Sequence, residues 1–150
     1  MKKLLFITIF VLGSNLYCQQ MKVVHGDFDF ISESDSINII FEYEGLMLQA
    51  DSIPEQLFIE NRIKSLQKRN PEDAQTWEGE WQDAKQRLWP EIFATNLNSV
   101  FSKKQRVTFE QGLNSAEYTL RVKTNWIYTA WHGGFMNQKP KVKATLQFVE

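Results

Sequence analysis

Residues 70–104 read NPEDAQTWEGEWQDAKQRLWPEIFATNLNSVFSKK, and the reading of this stretch decides the fold. It opens as helices open. Asn70 offers a side-chain oxygen to a free backbone N–H, Pro71 suits the first helical position, and Glu72 and Asp73 meet the positive end of the helix dipole. Trp77, Trp81, Ala84 and Leu88 then recur at steps of four, three and four, so they share a face. Trp89, Phe93, Leu97 and Val100 form a second stripe. At about 100° per residue it lies roughly 120° around the helix from the first. Pro90 stands where the stripes change. A proline inside a helix removes a hydrogen bond and clashes with the carbonyl four residues back, at roughly 3 kcal/mol. The pattern predicts one long helical arm, kinked or broken near Pro90 so that both stripes face one core. Lys103 and Lys104 suit its negative end. Gly79 is a weak point, costing about 1 kcal/mol relative to alanine. Asp83 and Arg87, four apart, are expected to pair on the surface. Helical spacing alone accounts for Trp77 and Trp81 as core residues.

Working outward, Ser52-Ile53-Pro54-Glu55 has the pattern of a capping box, and a first helix is expected from there to about Arg69. Upstream, Ile37, Ile39, Phe41 and Tyr43 alternate with Asn38, Ile40, Glu42 and Glu44, as in a half-buried strand. Gly45 interrupts it and Leu46 to Leu48 continue it. Met21 to Phe30 reads as an edge strand or extended lead-in. Downstream, Val107 and Phe109 alternate with polar residues, and Gln111 to Ser115 form a turn. Tyr118, Leu120 and Val122 begin a strand that runs into Trp126, Ile127, Tyr128 and Trp131, where both faces become apolar. His132-Gly133-Gly134 breaks the run. Val142, Ala144, Leu146 and Phe148 alternate with Lys141, Lys143, Thr145 and Gln147, and this strand is expected to pair antiparallel with the one before it. The order is β-β-α-α-β-β-β. It predicts an α+β fold: a mostly antiparallel sheet of four to five strands, with two helices on one face and the second long and kinked near Pro90.

The first residues are not part of that domain. Lys2 and Lys3 precede an apolar run from Leu4 to Leu12, which is too short to span a bilayer. Residues 1–18 therefore read as a bacterial export signal, and residues 19–150 as a single domain. Cys18 is the only cysteine, so no intramolecular disulfide forms. It is either the small residue before an ordinary cleavage site or the lipidated cysteine of a lipoprotein. The bulky Tyr17 before it argues for ordinary cleavage, giving a chain that begins at Gln19. The full chain has 17 basic and 18 acidic side chains. Losing Lys2 and Lys3 brings its net charge to about −3, with no clustered basic stretch of the kind nucleic-acid binding uses. No later segment is apolar for long enough to span a membrane.

Catalytic patterns are missing from the sequence. His25 and His132 are the only histidines, and neither has zinc-ligand spacing. Asp27, Asp29, Glu33 and Asp35 cluster without the pattern of a calcium loop. There is no nucleophile elbow, phosphate loop or metalloprotease motif. No cofactor and no metal site is expected. The residues singled out for binding are Trp126, Tyr128, Trp131 and Phe135, an aromatic cluster that could take a glycan, a lipid or a protein. Paired carboxylates for a hydrolase remain a third reading, since their separation is not visible in sequence.

The segment order also resembles a group of uncharacterised exported proteins of Bacteroidetes-type bacteria. The matching features are the signal, the strand Ile39 to Gly45, the Trp-rich charged helix through Trp81, Leu97-Asn98, the segment Ala116 to Thr124, and Phe148-Val149-Glu150. The group has no assigned activity, so the resemblance implies export and carries over no site residue. Members continue past the position matching Glu150, and the natural chain is expected to do the same. The expected function is that of a non-enzymatic interaction module of the periplasm or outer membrane, or a secreted one. Its partner would be an envelope protein or another envelope component. The alternative is a small-molecule binder for glycan or lipid that uses the same aromatics.

Overall fold

The structure is a computed structural model, and it describes residue 22 and residues 29–101, 107–129, 131–133 and 136–150. Helix α1 spans Glu55–Gln67 and α2 spans Pro71–Asp83. A π-helical turn, Ala84–Leu88, leads directly into α3, Trp89–Phe101. The arm from Pro71 to Phe101 is thus helical throughout. It starts as the sequence suggests, with the Asn70 side-chain oxygen accepting from the Glu72 N–H at 3.1 Å. The irregularity expected at Pro90 is the π turn just before it. The Trp89 N–H reaches back five residues to the Ala84 carbonyl. One extra residue in a turn sets later side chains back by about 100°, which removes most of the offset between the two stripes. Trp77, Trp81 and Trp89 consequently sit in one apolar cluster, and Phe93, Leu97 and Phe101 pack on the next. Leu88 and Val100, read as stripe ends, are exposed instead, while Pro90 is buried.

The capping box is not formed. Ser52 sits in a turn with φ of +51°, and α1 begins at Glu55 without a side-chain cap. The reason is Pro54, which holds the residue before it extended. Ile53–Pro54 becomes a short strand paired antiparallel with Met47–Leu48.

The strands are β1 (Ser36–Glu42), β2 (Met47–Leu48), β3 (Ile53–Pro54), β4 (Thr108–Gln111), β5 (Tyr118–Tyr128), β6 (Trp131–Gly133), β7 (Met136–Gln138) and β8 (Lys141–Val149). Six of them form one sheet, and β6 and β7 form a separate pair that prolongs the β5–β8 hairpin. The sheet is mixed, which corrects the expectation of a mostly antiparallel one. β1 runs parallel to both β4 and β5, and β2 parallel to β5; β5–β8 and β2–β3 are antiparallel. Alternation tells which side of a strand is apolar but not which way its neighbour runs. Here both helices lie between β1 and β4, and such a crossover returns the chain to the starting end of the sheet.

β4 and β5 flank β1 on opposite sides and point the same way, so residues 112–117 must cross one face of β1. The Leu113 N–H donates to the Asn38 side-chain oxygen at 3.2 Å, and the Asn38 amide donates to Thr119 at 3.3 Å. The crossing therefore lies over the face that carries Asn38, and it explains a buried polar residue in β1. The opposite face takes the helices. Ile37, Ile39, Phe109, Leu120 and Val122 are buried there, with Phe93, Ala94, Leu97 and Phe101 of α3 packed on them. Leu46, Leu48, Ile59, Trp81 and Ile127 form a second buried cluster. Asp29–Ser32 is a 3-10 turn rather than the end of a strand, and Phe30 stands 5.1 Å from Phe148, ring to ring. The rest of the expected lead-in, residue 21 and residues 23–28, lies outside the described residues. Among the described residues no helix is long and apolar enough to cross a membrane.

Candidate binding face on the open sheet

Between Thr124 and Trp126 the β5–β8 register shifts. Thr124 lies opposite Ala144, and Trp126 opposite Lys143. Asn125 is the extra residue of a β-bulge, and its amide donates to Thr145 at 2.8 Å. The bulge decides the site. Under strict alternation from Leu120, Trp126 and Tyr128 would enter the core and Ile127 would leave it. With the extra residue, Ile127 is buried among Leu48, Ile59 and Trp81, and Trp126 and Tyr128 turn to the face away from the helices. There their rings stack, with centroids 6.1 Å apart and planes at 29°.

Gln49 fixes the indole. The Trp126 Nε1–H donates to the Gln49 carbonyl at 2.8 Å. Gln49 has φ of +64°, a left-handed conformation uncommon outside glycine and asparagine. It is held there from both sides. Its N–H donates to the Ile127 carbonyl at 2.9 Å, and its side-chain amide donates to Thr129 at 2.6 Å. Nothing in the sequence marks Gln49 for this role, since glutamine is not a turn signature.

The ring pair sits among cations. Lys143 lies opposite Trp126, Lys141 opposite Tyr128, and Lys123 opposite Thr145. All three lysines are exposed, and none makes an ion pair among the described residues. Farther along the same face Arg121 is neutralised by Glu42 at 2.9 Å. The positive potential is therefore concentrated at the aromatic end of the face. Of the other two residues singled out, Trp131 opens β6, a continuation of the same hairpin, and Phe135 lies outside the described residues.

A second constellation gathers Glu55, Trp81, Lys85 and Tyr43 where β1 meets the helices. Glu55 accepts from the Trp81 indole at 2.8 Å and from Lys85 at 2.6 and 2.8 Å. The Lys85 ammonium lies 4.8 Å from the centre of the Tyr43 ring. Burial, reinforced by the Glu55 charge, pushes the Tyr43 phenol up to about 12. Its hydroxyl donates to the Lys85 carbonyl at 3.0 Å. That carbonyl needs it: the Trp89 N–H has gone to Ala84, and Pro90 has no N–H to give. Each of these polar groups is committed to holding the π turn on the sheet.

A shallow cleft of about 320 Å³ beside this cluster is lined by Phe41, Tyr43, Lys85, Gln86 and Gln111 and carries no carboxylate. A neighbouring cleft of about 370 Å³ carries Glu91 and Glu110. Both acids are exposed, and Glu91 pairs with Arg87 at 3.2 Å. No family model, no curated protein and no solved structure matches the chain.

Proposed function

We propose that the protein is an exported module of the cell envelope that acts by binding, and that the open face of its sheet is the binding surface. One observation carries this reading: the bulge at Asn125 places the stacked Trp126–Tyr128 pair outside the core, between three lysines without ion-pair partners among the described residues. Rings already fixed in place lose little freedom on binding, and unpaired cations steer an acidic partner toward them. The signal-like residues 1–18 support export, to the periplasm or the outer membrane, and Tyr17 supports cleavage before Gln19 over a lipid anchor on Cys18. A flat ring pair also favours a second reading, in which the ligand is an acidic glycan.

Affinity capture from native envelope fractions tests the proposal. Tyr128→Ala combined with Lys141→Glu and Lys143→Glu should lose the captured component and leave the melting temperature within a few degrees of wild type. Capture that survives these changes places binding elsewhere. For the glycan reading, acidic polysaccharides should raise the melting temperature of wild type by mass action and leave that of the triple variant unmoved.

A further inference from the structure

We propose that the Asn98 side chain stands in for a strand at the β4 edge of the sheet, closing that edge to strand addition and clasping α3 to it. Among the described strands β4 pairs with β1 alone. Such an edge presents backbone N–H and C=O groups to any extended chain that meets it. Successive residues of a strand turn these groups to opposite sides. The Thr108 N–H donates to the Asp35 carbonyl, just before β1, at 2.9 Å, so the Phe109 groups turn outward. Asn98 meets both of them. Its side-chain oxygen accepts from the Phe109 N–H at 2.7 Å, and its amide donates to the Phe109 carbonyl at 2.8 Å. A carboxamide carries the donor and acceptor of a peptide group, and here it makes both bonds that a neighbouring strand would make.

The helix sets this placement. Leu97 and Phe101 pack on the core under α3, and Asn98, about 100° farther round the axis than Leu97, reaches the sheet edge. Asn98 is half-buried there. Of the β4 residues, Phe109 and Gln111 turn their backbone groups outward. After Gln111 the chain leaves the edge through Gly112, which has φ of +79°. With Phe109 taken, an incoming strand is left with Gln111 alone, too little for a ladder. The clasp shares no residue with the Trp126–Tyr128 face, so it stands independently of the binding surface.

Hydrogen exchange followed by NMR, on protein from cells expressing the full chain, tests it. The amide of Leu120, in the middle strand β5, serves as the internal reference. Asn98→Ala should speed exchange of the Phe109 amide about tenfold or more relative to Leu120. Its mass in sedimentation velocity should also rise with concentration more steeply than that of wild type. Asn98→Asp separates the paired bonds from the mere filling of space. The carboxylate still accepts from the Phe109 N–H but opposes the Phe109 carbonyl, and Glu91 and Glu110 line the same cleft. These neighbours favour the protonated acid, so the new carboxyl should titrate above its unfolded value. The protonated acid donates again. The deficit in melting temperature against wild type should therefore be largest at neutral pH and shrink as pH falls to about 4. This comparison decides the matter even where Asn98→Ala folds poorly. A deficit that is the same at both pH values overturns the proposal. So does exchange at Phe109 that keeps pace with Leu120 in Asn98→Ala, or sedimentation of that variant identical to wild type.

Discussion

Tyr43 stands where the helical arm fails to satisfy its own backbone. The π turn and Pro90 together leave the Lys85 carbonyl without a helical donor, and the phenol supplies one from the residue just after β1. Tyr43→Phe keeps the ring and removes only that donor. It should destabilise the protein by about 1–2 kcal/mol in denaturant unfolding, the cost of an unmet carbonyl. The same residue sets a pH dependence. Below about pH 10 the phenol is protonated in both states. Between pH 10 and about 12 the unfolded chain releases the proton while the folded one keeps it, so stability falls across that window. The Tyr43→Phe variant should lack that part of the decline, and one phenolate fewer should appear near pH 12. Local roles were legible at this scale: the Asn70 cap and the Asp83–Arg87 pair, at 2.6 Å, follow from spacing alone. The role of Tyr43 was not, because its acceptor lies 42 positions away and is orphaned only once the π turn forms. Ser52 misled because its capping pattern ignored what Pro54 does to Ile53.

At the scale of elements, the arm and the β5 strand each solve a periodicity problem with one extra residue. In the arm the π turn realigns two apolar stripes; in β5 the bulge at Asn125 restores the alternation that Trp126 would otherwise break. Deleting Asn125 should therefore be tolerated. It leaves Ile127 facing in and Trp126 facing out, and the loss should be about 1 kcal/mol, chiefly the bond to Thr145. Global unfolding of the deletion variant would contradict this account of the bulge. Gly79 is exposed in the middle of α2, and a Cβ there would meet nothing within 4 Å. Gly79→Ala should stabilise the protein by about 0.5–1 kcal/mol, a rise of a few degrees in melting temperature. The existence of both helices and the main strands was legible from period alone. The π turn was visible only as a mismatch between stripes, and the bulge only as the point where both faces of a strand turned apolar.

For the whole molecule, segment order gave the α+β class and the hairpin of the last two long strands, because both depend on neighbours in sequence. The parallel pairing of β1 with β4 and β5 was not legible. It depends on a crossover through both helices and a short crossing over Asn38, and alternation carries no strand direction. The architecture gives one sheet face to the helices and leaves the Trp126–Tyr128 end of the other without a helix layer, and the proposal sets the partner there. Two of the five residues of the candidate surface, Trp126 and Tyr128, could be named from the aromatic run. Its lysines could not, because register across the hairpin brings them there. Differential lysine acetylation, read by mass spectrometry with and without captured envelope material, tests the open face most directly. Lys123, Lys141 and Lys143 should be protected by the partner, while Lys64 and Lys68 on the α1 side stay as reactive as before. Unchanged reactivity at the three sheet lysines, with protection on the helices instead, would contradict the proposal that this face is where the protein binds.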